Sequence, residues 1–205
     1  MPIAVEQLGL VLQWLDLAGI AVFALSGALA AAAKKQTLVT FLFFALVTGV
    51  GGGTVRDLLI GAPVFWVHSN TLLFICCAAA VIVWATPARL WEGSALLWLD
   101  AVGLAAYATF GAAKALAYGV APLPAIVMGV FTGCVGGIIR DVLTGEPSIL
   151  MRPELYVTAA ALSAALMVAL LLVGLPGAGL IAAIAGFTLR ALAIRRGLSL
   201  PAYRG

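Results

Sequence analysis

The chain has 205 residues, of which 64% are hydrophobic and only 9% are charged, and its formal net charge is +3. Soluble domains contain about 25% charged residues, so this chain has too few charges to cover a surface that faces water. The composition excludes a soluble enzyme and a nucleic-acid-binding protein. It also excludes a disordered chain, because disorder requires low hydrophobicity. An integral membrane protein is the class that remains.

Apolar runs separated by charges, prolines and glycines predict an all-α protein, with residues 1–205 forming a single membrane domain. A transmembrane helix needs roughly 20 apolar residues, and seven runs approach that length. Lys34 and Lys35 separate the first two runs, and Pro122 opens the fifth. The seven predicted helices cover residues 11–33, 37–60, 67–86, 96–117, 122–143, 153–174 and 178–194.

An internal repeat appears when the sequence is shifted by 84 residues. Trp14-Leu15-Asp16 then aligns with Trp98-Leu99-Asp100, and 19 of the 51 positions in residues 14–64 are identical without a gap. Shared Trp, Asp and Arg residues at one offset are not explained by composition. Residues 11–87 are the predicted first repeat, residues 95–174 the second, and residues 178–194 an additional seventh helix. Because three helices return the chain to the opposite side, we expect the two repeats to be inverted, as in many permeation proteins.

Glycine clusters lie at matching places in the second and fifth predicted helices. Glycine weakens a helix interior, so we expect both helices to be kinked there and to line a pathway through the protein. The alternative is close helix packing, since Gly129, Gly133 and Gly137 are spaced as small-xxx-small steps. The glycines predicted to kink the helices are Gly49, Gly51, Gly52, Gly53, Gly133, Gly136 and Gly137.

Arg56-Asp57 and Arg140-Asp141 follow the two glycine clusters. Neighbouring residues on a helix point about 100° apart, so we expect neither dipeptide to form its own good salt bridge. We expect Asp16 to pair with Arg56 and Asp100 to pair with Arg140 instead. Ionisable groups within a membrane are candidates for function.

Lys114 breaks the repeat, because its counterpart is Ala30. Its ammonium either reaches the membrane surface along its own helix or lies in a pore, where it would repel cations and respond to voltage. Thr48, Thr132 and Ser26 are predicted to line a polar pathway. Alternatively, these hydroxyls bond to carbonyls of their own helices.

The sequence predicts neither an enzyme nor a bound metal or cofactor. It holds one histidine and three cysteines, without the spacing of a zinc site. No set of nucleophile, base and acid is present either.

The distribution of basic residues predicts the orientation in the membrane. Cytoplasmic loops carry an excess of Lys and Arg. One side of the predicted topology holds only Arg56, with Lys114 near it. We therefore expect the N-terminus outside and the C-terminus in the cytoplasm, on the side of Lys34, Lys35, Arg89, Arg140, Arg152, Arg190, Arg195, Arg196 and Arg204.

The motifs at residues 51–57 and 136–141, on a repeat of this length, resemble those of the prokaryotic branch of the trimeric intracellular cation (TRIC) channel family. The resemblance implies a homotrimer in a bacterial or archaeal cell membrane, surrounded by lipids, in which each subunit has its own pore. The second and fifth helices would bound that pore, and monovalent cations, mainly potassium, would pass. The resemblance also implies that Lys114 takes part in voltage-dependent gating.

A secondary transporter of a small amino acid such as glycine is the alternative function. Related prokaryotic sequences are labelled as glycine transporters. In that case the second and fifth helices would bind the substrate near the middle of the membrane.

Overall fold

The computed structural model describes residues 10–91, 93–151 and 153–201. Within these ranges the chain folds into seven α-helices, which confirms the predicted all-α class. Short 3₁₀ turns cover Ala88–Leu90 and Ile149–Met151. The helices are α1 Leu10–Ala33, α2 Leu38–Leu59, α3 Asn70–Ala85, α4 Ala95–Ala117, α5 Pro122–Thr144, α6 Val157–Leu172 and α7 Ala178–Arg196.

Five of these helices, α1, α2, α4, α5 and α7, are long and apolar enough to cross a membrane. The other two, α3 and α6, have 16 residues each, which corresponds to about 24 Å of helix. Both begin three or four residues later than predicted. The residues before them form loops in which Ser69 caps α3, its Oγ accepting from Leu72 N–H.

The four longest helices form the centre of the fold. α1 packs against α2 and α4, and α5 packs against α2 and α4. α3 lies on α1 and α2, as α6 lies on α4 and α5, while α7 covers α4 and α6. Large apolar side chains such as Phe74, Val39 and Leu123 are about three quarters exposed on the outside. This surface suits lipid or another subunit.

Close contacts at glycines come in pairs that are related by the 84-residue offset. A Cβ on Gly52 would collide with the carbonyl oxygen of Thr132, and one on Gly136 would lie 2.5 Å from the carbonyl oxygen of Thr48. Gly52 and Gly136 are counterparts at the 84-residue offset, and so are Thr48 and Thr132, so the second contact is the first with the two halves exchanged. α2 and α5 therefore cross with their backbones in direct contact, and only glycine fits there.

The same exchange occurs between α1 and α4. Gly19 lies against the ring of Tyr107, and Gly103 lies against the ring of Phe23. Reciprocal contacts of this kind extend along the centre of the fold, where the helices α1, α2, α4 and α5 meet.

α2 and α5 are unbroken helices through their glycine clusters. The close contacts of these glycines support the alternative of helix packing. The kinks expected at the glycines stay a prediction. Both helices end at a glycine with positive φ, Gly61 at +67° and Gly145 at +69°.

The chain after each of these glycines turns back in the same way. Ala62 N–H donates to Asp57 O at 2.9 Å, and Glu146 N–H donates to Asp141 O at 3.0 Å. This six-to-one bond is typical of the Schellman motif, which needs a residue in the left-handed conformation. The motif redirects each chain back over the carboxylate that closes the helix.

We expect Gly136→Ala to destabilise the protein. The added methyl would meet the backbone of Thr48, which cannot move aside as a side-chain tip can. Overpacking of this kind costs about 1–3 kcal/mol. Thermal unfolding of the detergent-solubilised protein would show a lower midpoint. Gly51→Ala is the matched control, because its methyl would meet only the flexible end of Ile139 at 3.0 Å. An equal loss in both variants would contradict the close crossing of α2 and α5.

Candidate functional site

The first buried charge cluster, called here the Arg56 cluster, consists of Asp16, Arg56, Asp57 and Lys114. Arg56 Nε donates to Asp57 Oδ1 at 2.9 Å, and Arg56 Nη2 lies 2.8 Å from the same oxygen. Lys114 Nζ lies 2.9 Å from Asp57 Oδ1 and 3.0 Å from Oδ2. Asp57 therefore binds two cations while it is fully buried.

Aromatic rings enclose the cations of this cluster. The Arg56 guanidinium lies 5.3 Å from the centre of the Phe110 ring and 5.7 Å from that of Phe65. Lys114 Nζ lies 5.6 Å from the Phe65 ring and 5.9 Å from the Tyr118 ring. Cations over ring faces are stabilised by the quadrupole of the ring. Aromatic side chains thus replace part of the water that these charges lose.

Lys114 is only 2% exposed. The interpretation in which its ammonium reaches the membrane surface is therefore wrong. Its side chain points into the protein because the Asp57 carboxylate, on α2, offers a partner at hydrogen-bond distance.

The second cluster, called here the Arg140 cluster, consists of Asp100, Arg140 and Asp141, with Ser26 beside them. Arg140 Nε and Nη2 donate to Asp141 Oδ1 at 3.0 and 2.8 Å. Its Nη1 donates to Asp100 Oδ1 at 2.7 Å and to Ser26 Oγ at 3.1 Å. One guanidinium therefore joins α1, α4 and α5 by its hydrogen bonds.

The two clusters have the same hydrogen-bond pattern around Asp57 and Asp141. In each, the aspartate accepts from the arginine before it through Oδ1. In each, Oδ2 accepts from the backbone N–H eight residues later, Phe65 N–H at 3.1 Å and Ile149 N–H at 3.0 Å. The Schellman turns bring these N–H groups back over the helix ends. The carboxylates thereby fix the loops that follow α2 and α5.

Two expectations about these arginines are corrected by the geometry. Arg56 and Arg140 do pair with their own neighbours, because each long side chain curls back to the adjacent carboxylate. The expected pair of Asp100 with Arg140 is present, whereas the expected pair of Asp16 with Arg56 is wrong. Asp16 Oδ1 is buried and has no hydrogen-bond partner among the described residues.

A cavity of about 440 Å³ opens beside the Arg140 cluster. At its rim, Lys34 Nζ lies 2.7 Å from Glu146 Oε1, and both side chains are about half exposed. The polar residues that line the cavity are Lys34, Ser94, Asp100, Arg140, Asp141, Thr144 and Glu146. With two carboxylates and one guanidinium, the Arg140 cluster has a formal charge of −1, whereas the Arg56 cluster, with two of each sign, is neutral.

The predicted pathway hydroxyls differ from one another in their bonding. Thr132 Oγ1 donates to Met128 O at 2.6 Å, within its own helix. Ser26 Oγ donates to Phe23 O at 3.0 Å and accepts from Arg140. Thr48 Oγ1 is buried without a hydrogen-bond partner in the described part of the chain.

A partly buried ion pair between Arg190 and Glu154 was not predicted. Arg190 on α7 is 1% exposed and donates to Glu154 Oε2 at 2.6 Å. Its guanidinium lies 5.3 Å from the Tyr156 ring. The position of Arg190 inside the seventh predicted helix indicates a charge within the membrane. The sequence does not show which residue faces it.

Comparisons with known proteins agree on one family. The family model described as "Glycine transporter" matches residues 13–88 and 97–173, two matches that begin 84 residues apart. The chain is 44% identical over 157 residues to a UPF0126 membrane protein of Vibrio cholerae, covering 72% of this chain and 63% of that protein. The chain thus spans slightly less than two thirds of the length of this relative.

A second bacterial relative is the UPF0126 inner membrane protein YadS of Escherichia coli. It is 42% identical over 154 residues, covering 73% of this chain and 74% of that protein. Among solved structures, the chain is similar to one described as the TRIC trimeric intracellular cation channel orthologue from Rhodobacter sphaeroides. The identity is 42%, the TM-score is 0.86, and 93% of this chain and 100% of that chain are covered.

We expect Lys114→Met to destabilise the protein strongly, because the Asp57 carboxylate would lose one of its two buried cations. Removing one partner of a buried ion pair costs on the order of 3 kcal/mol. The control is Lys34→Met, which removes an exposed ion pair worth less than about 1 kcal/mol. Denaturant unfolding of the solubilised protein would measure both. A Lys114→Met variant as stable as Lys34→Met would contradict the pairing with Asp57.

Proposed function

The chain belongs to the trimeric intracellular cation (TRIC) channel family, and on this basis we propose that it forms a potassium-permeable channel with one pore in each subunit of a homotrimer. Its bacterial relatives are named as membrane proteins, and the chain is a membrane protein with five helices long enough to span. The observation that carries the proposal is the similarity, over nearly the whole chain, to a structure described as a cation channel. The similarity to a channel also argues against an enzyme.

The course of the pore follows from the buried polar groups between α1, α2, α4 and α5. Asp16 Oδ1, Thr48 Oγ1 and Asp100 Oδ2 are buried without hydrogen-bond partners among the described residues. An unsatisfied buried polar group costs about 1–3 kcal/mol, so such groups are suited to a path that carries water and ions. The path would run along α2 and α5 between the two clusters, with the Arg140 cluster at the open cavity and Lys114 at the other end.

The two three-helix repeats are inverted in this proposal. The exchanged contacts at Gly52 and Gly136 support an approximate two-fold axis between the halves, since a two-fold axis makes contacts reciprocal. The paired matches of one family model to residues 13–88 and 97–173 support the repeat as well. A repeat of three spans reverses its direction in the membrane, which places the axis in the membrane plane.

The trimer would use part of the apolar outer surface. Exposed side chains such as Phe74 and Leu123 suit either lipid or a neighbouring subunit. The observation in favour of a trimer is the description of the Rhodobacter sphaeroides relative as a trimeric channel. Membrane lipids would cover the remainder.

Secondary transport of glycine, which the matching family model carries only as its name, is the alternative that the experiment has to exclude. In that function the helices α2 and α5 would bind a zwitterion and move between two states. A transporter saturates with its substrate, whereas a channel shows unitary currents, so the two functions differ in a measurable way.

The purified protein in a planar bilayer should show discrete single-channel steps that reverse at the potassium equilibrium potential. Lys114→Ala should change the conductance or its voltage dependence, because the variant removes a charge beside the proposed path. Lys35→Ala, at an exposed residue that does not line the cavity beside the Arg140 cluster, is the control. Silent bilayers together with saturable glycine uptake into proteoliposomes would favour the transporter.

We expect the C-terminus in the cytoplasm and the N-terminus outside, because the side that carries Lys34, Lys35 and Arg89 is rich in basic residues. A green fluorescent protein fused to the C-terminus should fluoresce in bacteria, and alkaline phosphatase at the same position should be inactive. Fusions in the loop after α2, at the opposite side, should behave in the reverse way. Active phosphatase at the C-terminus would contradict this orientation.

A further inference from the structure

We propose that the cavity beside the Arg140 cluster contains a binding site for one small monovalent cation, which takes the place there that the Lys114 ammonium has in the Arg56 cluster. The inference deepens the proposed function, because it names where a permeating cation would rest. The binding itself is measured without conduction. The site would be formed by the carboxylates of Asp100 and Asp141.

The two repeats provide an internal comparison for this site. Asp57 and Asp141 are equivalent in the repeat, and both accept from the preceding arginine and from a backbone N–H eight residues later. Their surroundings differ in charge at one position, although Phe65 and Phe110 beside Asp57 also have unlike counterparts in Ile149 and Ser26. Lys114 contacts both oxygens of Asp57, whereas its counterpart Ala30 ends in a methyl group.

The cavity lies beside Ala30, whose methyl group is much smaller than the Lys114 side chain at the equivalent position. Ala30, Asp100 and Asp141 all line it. The side chain of Asp141 is 12% exposed, whereas that of Asp57 is fully buried. The Asp57 carboxylate accepts from the Lys114 ammonium, whereas the equivalent carboxylate of Asp141 is open to the cavity.

Charge supports a cation as the occupant. Arg140 pairs with both Asp100 and Asp141, and Lys34, the other cation that lines the cavity, pairs with Glu146, so the cluster keeps one formal negative charge. Asp100 is 1% exposed and lines the cavity, and its Oδ2 has no well-aligned hydrogen-bond partner within the described ranges; the buried Tyr156 hydroxyl lies beside this carboxylate but brings no charge. A buried carboxylate oxygen of this kind needs a donor or a cation.

The chemistry favours a monovalent cation over a divalent one. One unit of charge suffices to neutralise the cluster, as the single ammonium of Lys114 does in the Arg56 cluster. The described residues contain no group of three or more His, Cys, Asp and Glu side chains placed to hold a metal ion. Potassium and ammonium both bind to carboxylate oxygens, and the Lys114 contacts of 2.9 and 3.0 Å show that this geometry accepts such a cation.

Ala30→Lys tests the site by supplying a tethered ammonium. The melting temperature of the purified wild-type protein should rise by at least about 2 °C when potassium replaces N-methylglucamine at constant ionic strength, because a bound ligand stabilises the folded state. Ala30→Lys should lose this rise. Gln36→Lys adds one positive charge at an exposed residue that does not line this cavity, and it should keep the rise. A potassium response in Ala30→Lys equal to that of the wild type would overturn the proposal.

Asp141→Asn is a second variant in case Ala30→Lys does not fold, and it should also lose the potassium response. A wild-type protein that responds to magnesium or to glycine, but not to potassium, would overturn the monovalent site.

Rubidium provides a direct measurement, because its anomalous scattering locates it in crystals. A peak beside the Asp141 carboxylate is expected in the wild-type protein, and a second peak beside Asp57 is expected in Lys114→Ala. The absence of the first peak would overturn the proposal. Channel currents without a peak would reject the site alone, and a peak without currents would reject the channel function alone.

Discussion

The rest of this structure depends on the interactions of two buried carboxylates, those of Asp57 and Asp141. A charge inside an apolar protein is tolerated only when it is paired and hydrogen-bonded. Each carboxylate meets that condition by binding the preceding arginine and the N–H of a loop residue, Phe65 or Ile149. The pairing therefore joins the end of a central helix to the loop that follows it.

Close packing of glycines makes this arrangement possible. Gly52 and Gly136 let the backbones of α2 and α5 touch at Thr132 and Thr48. This crossing brings the second half of the molecule next to the first. Arg140 consequently reaches Ser26 on α1 as well as Asp100 on α4. Small residues at the crossing and charges near the helix ends thus act together.

The charges of the two clusters differ because Lys114 in the second half corresponds to Ala30 in the first. With Lys114 the Arg56 cluster is neutral and closed by aromatic rings, and with Ala30 the Arg140 cluster is negative and opens to a cavity. The two clusters, which occupy equivalent places in the repeats, therefore differ in charge and in their access to a cavity. In the proposed channel, the cation pathway would therefore be open at the Arg140 cluster and lie beside Lys114 at its other end.

The sequence alone determined the membrane class, the helices, the 84-residue repeat and the short set of charged candidates, because composition and hydrophobic periodicity are local properties. It also indicated the pair of Asp100 with Arg140, since the two fall at similar predicted depth. Only the tertiary structure decided that Arg56 pairs with Asp57 and not with Asp16, that Lys114 points inward, and that α2 and α5 run unbroken through their glycines. These facts depend on side-chain direction and on which backbones meet. Both are set by packing between helices distant in the sequence, which no local pattern records.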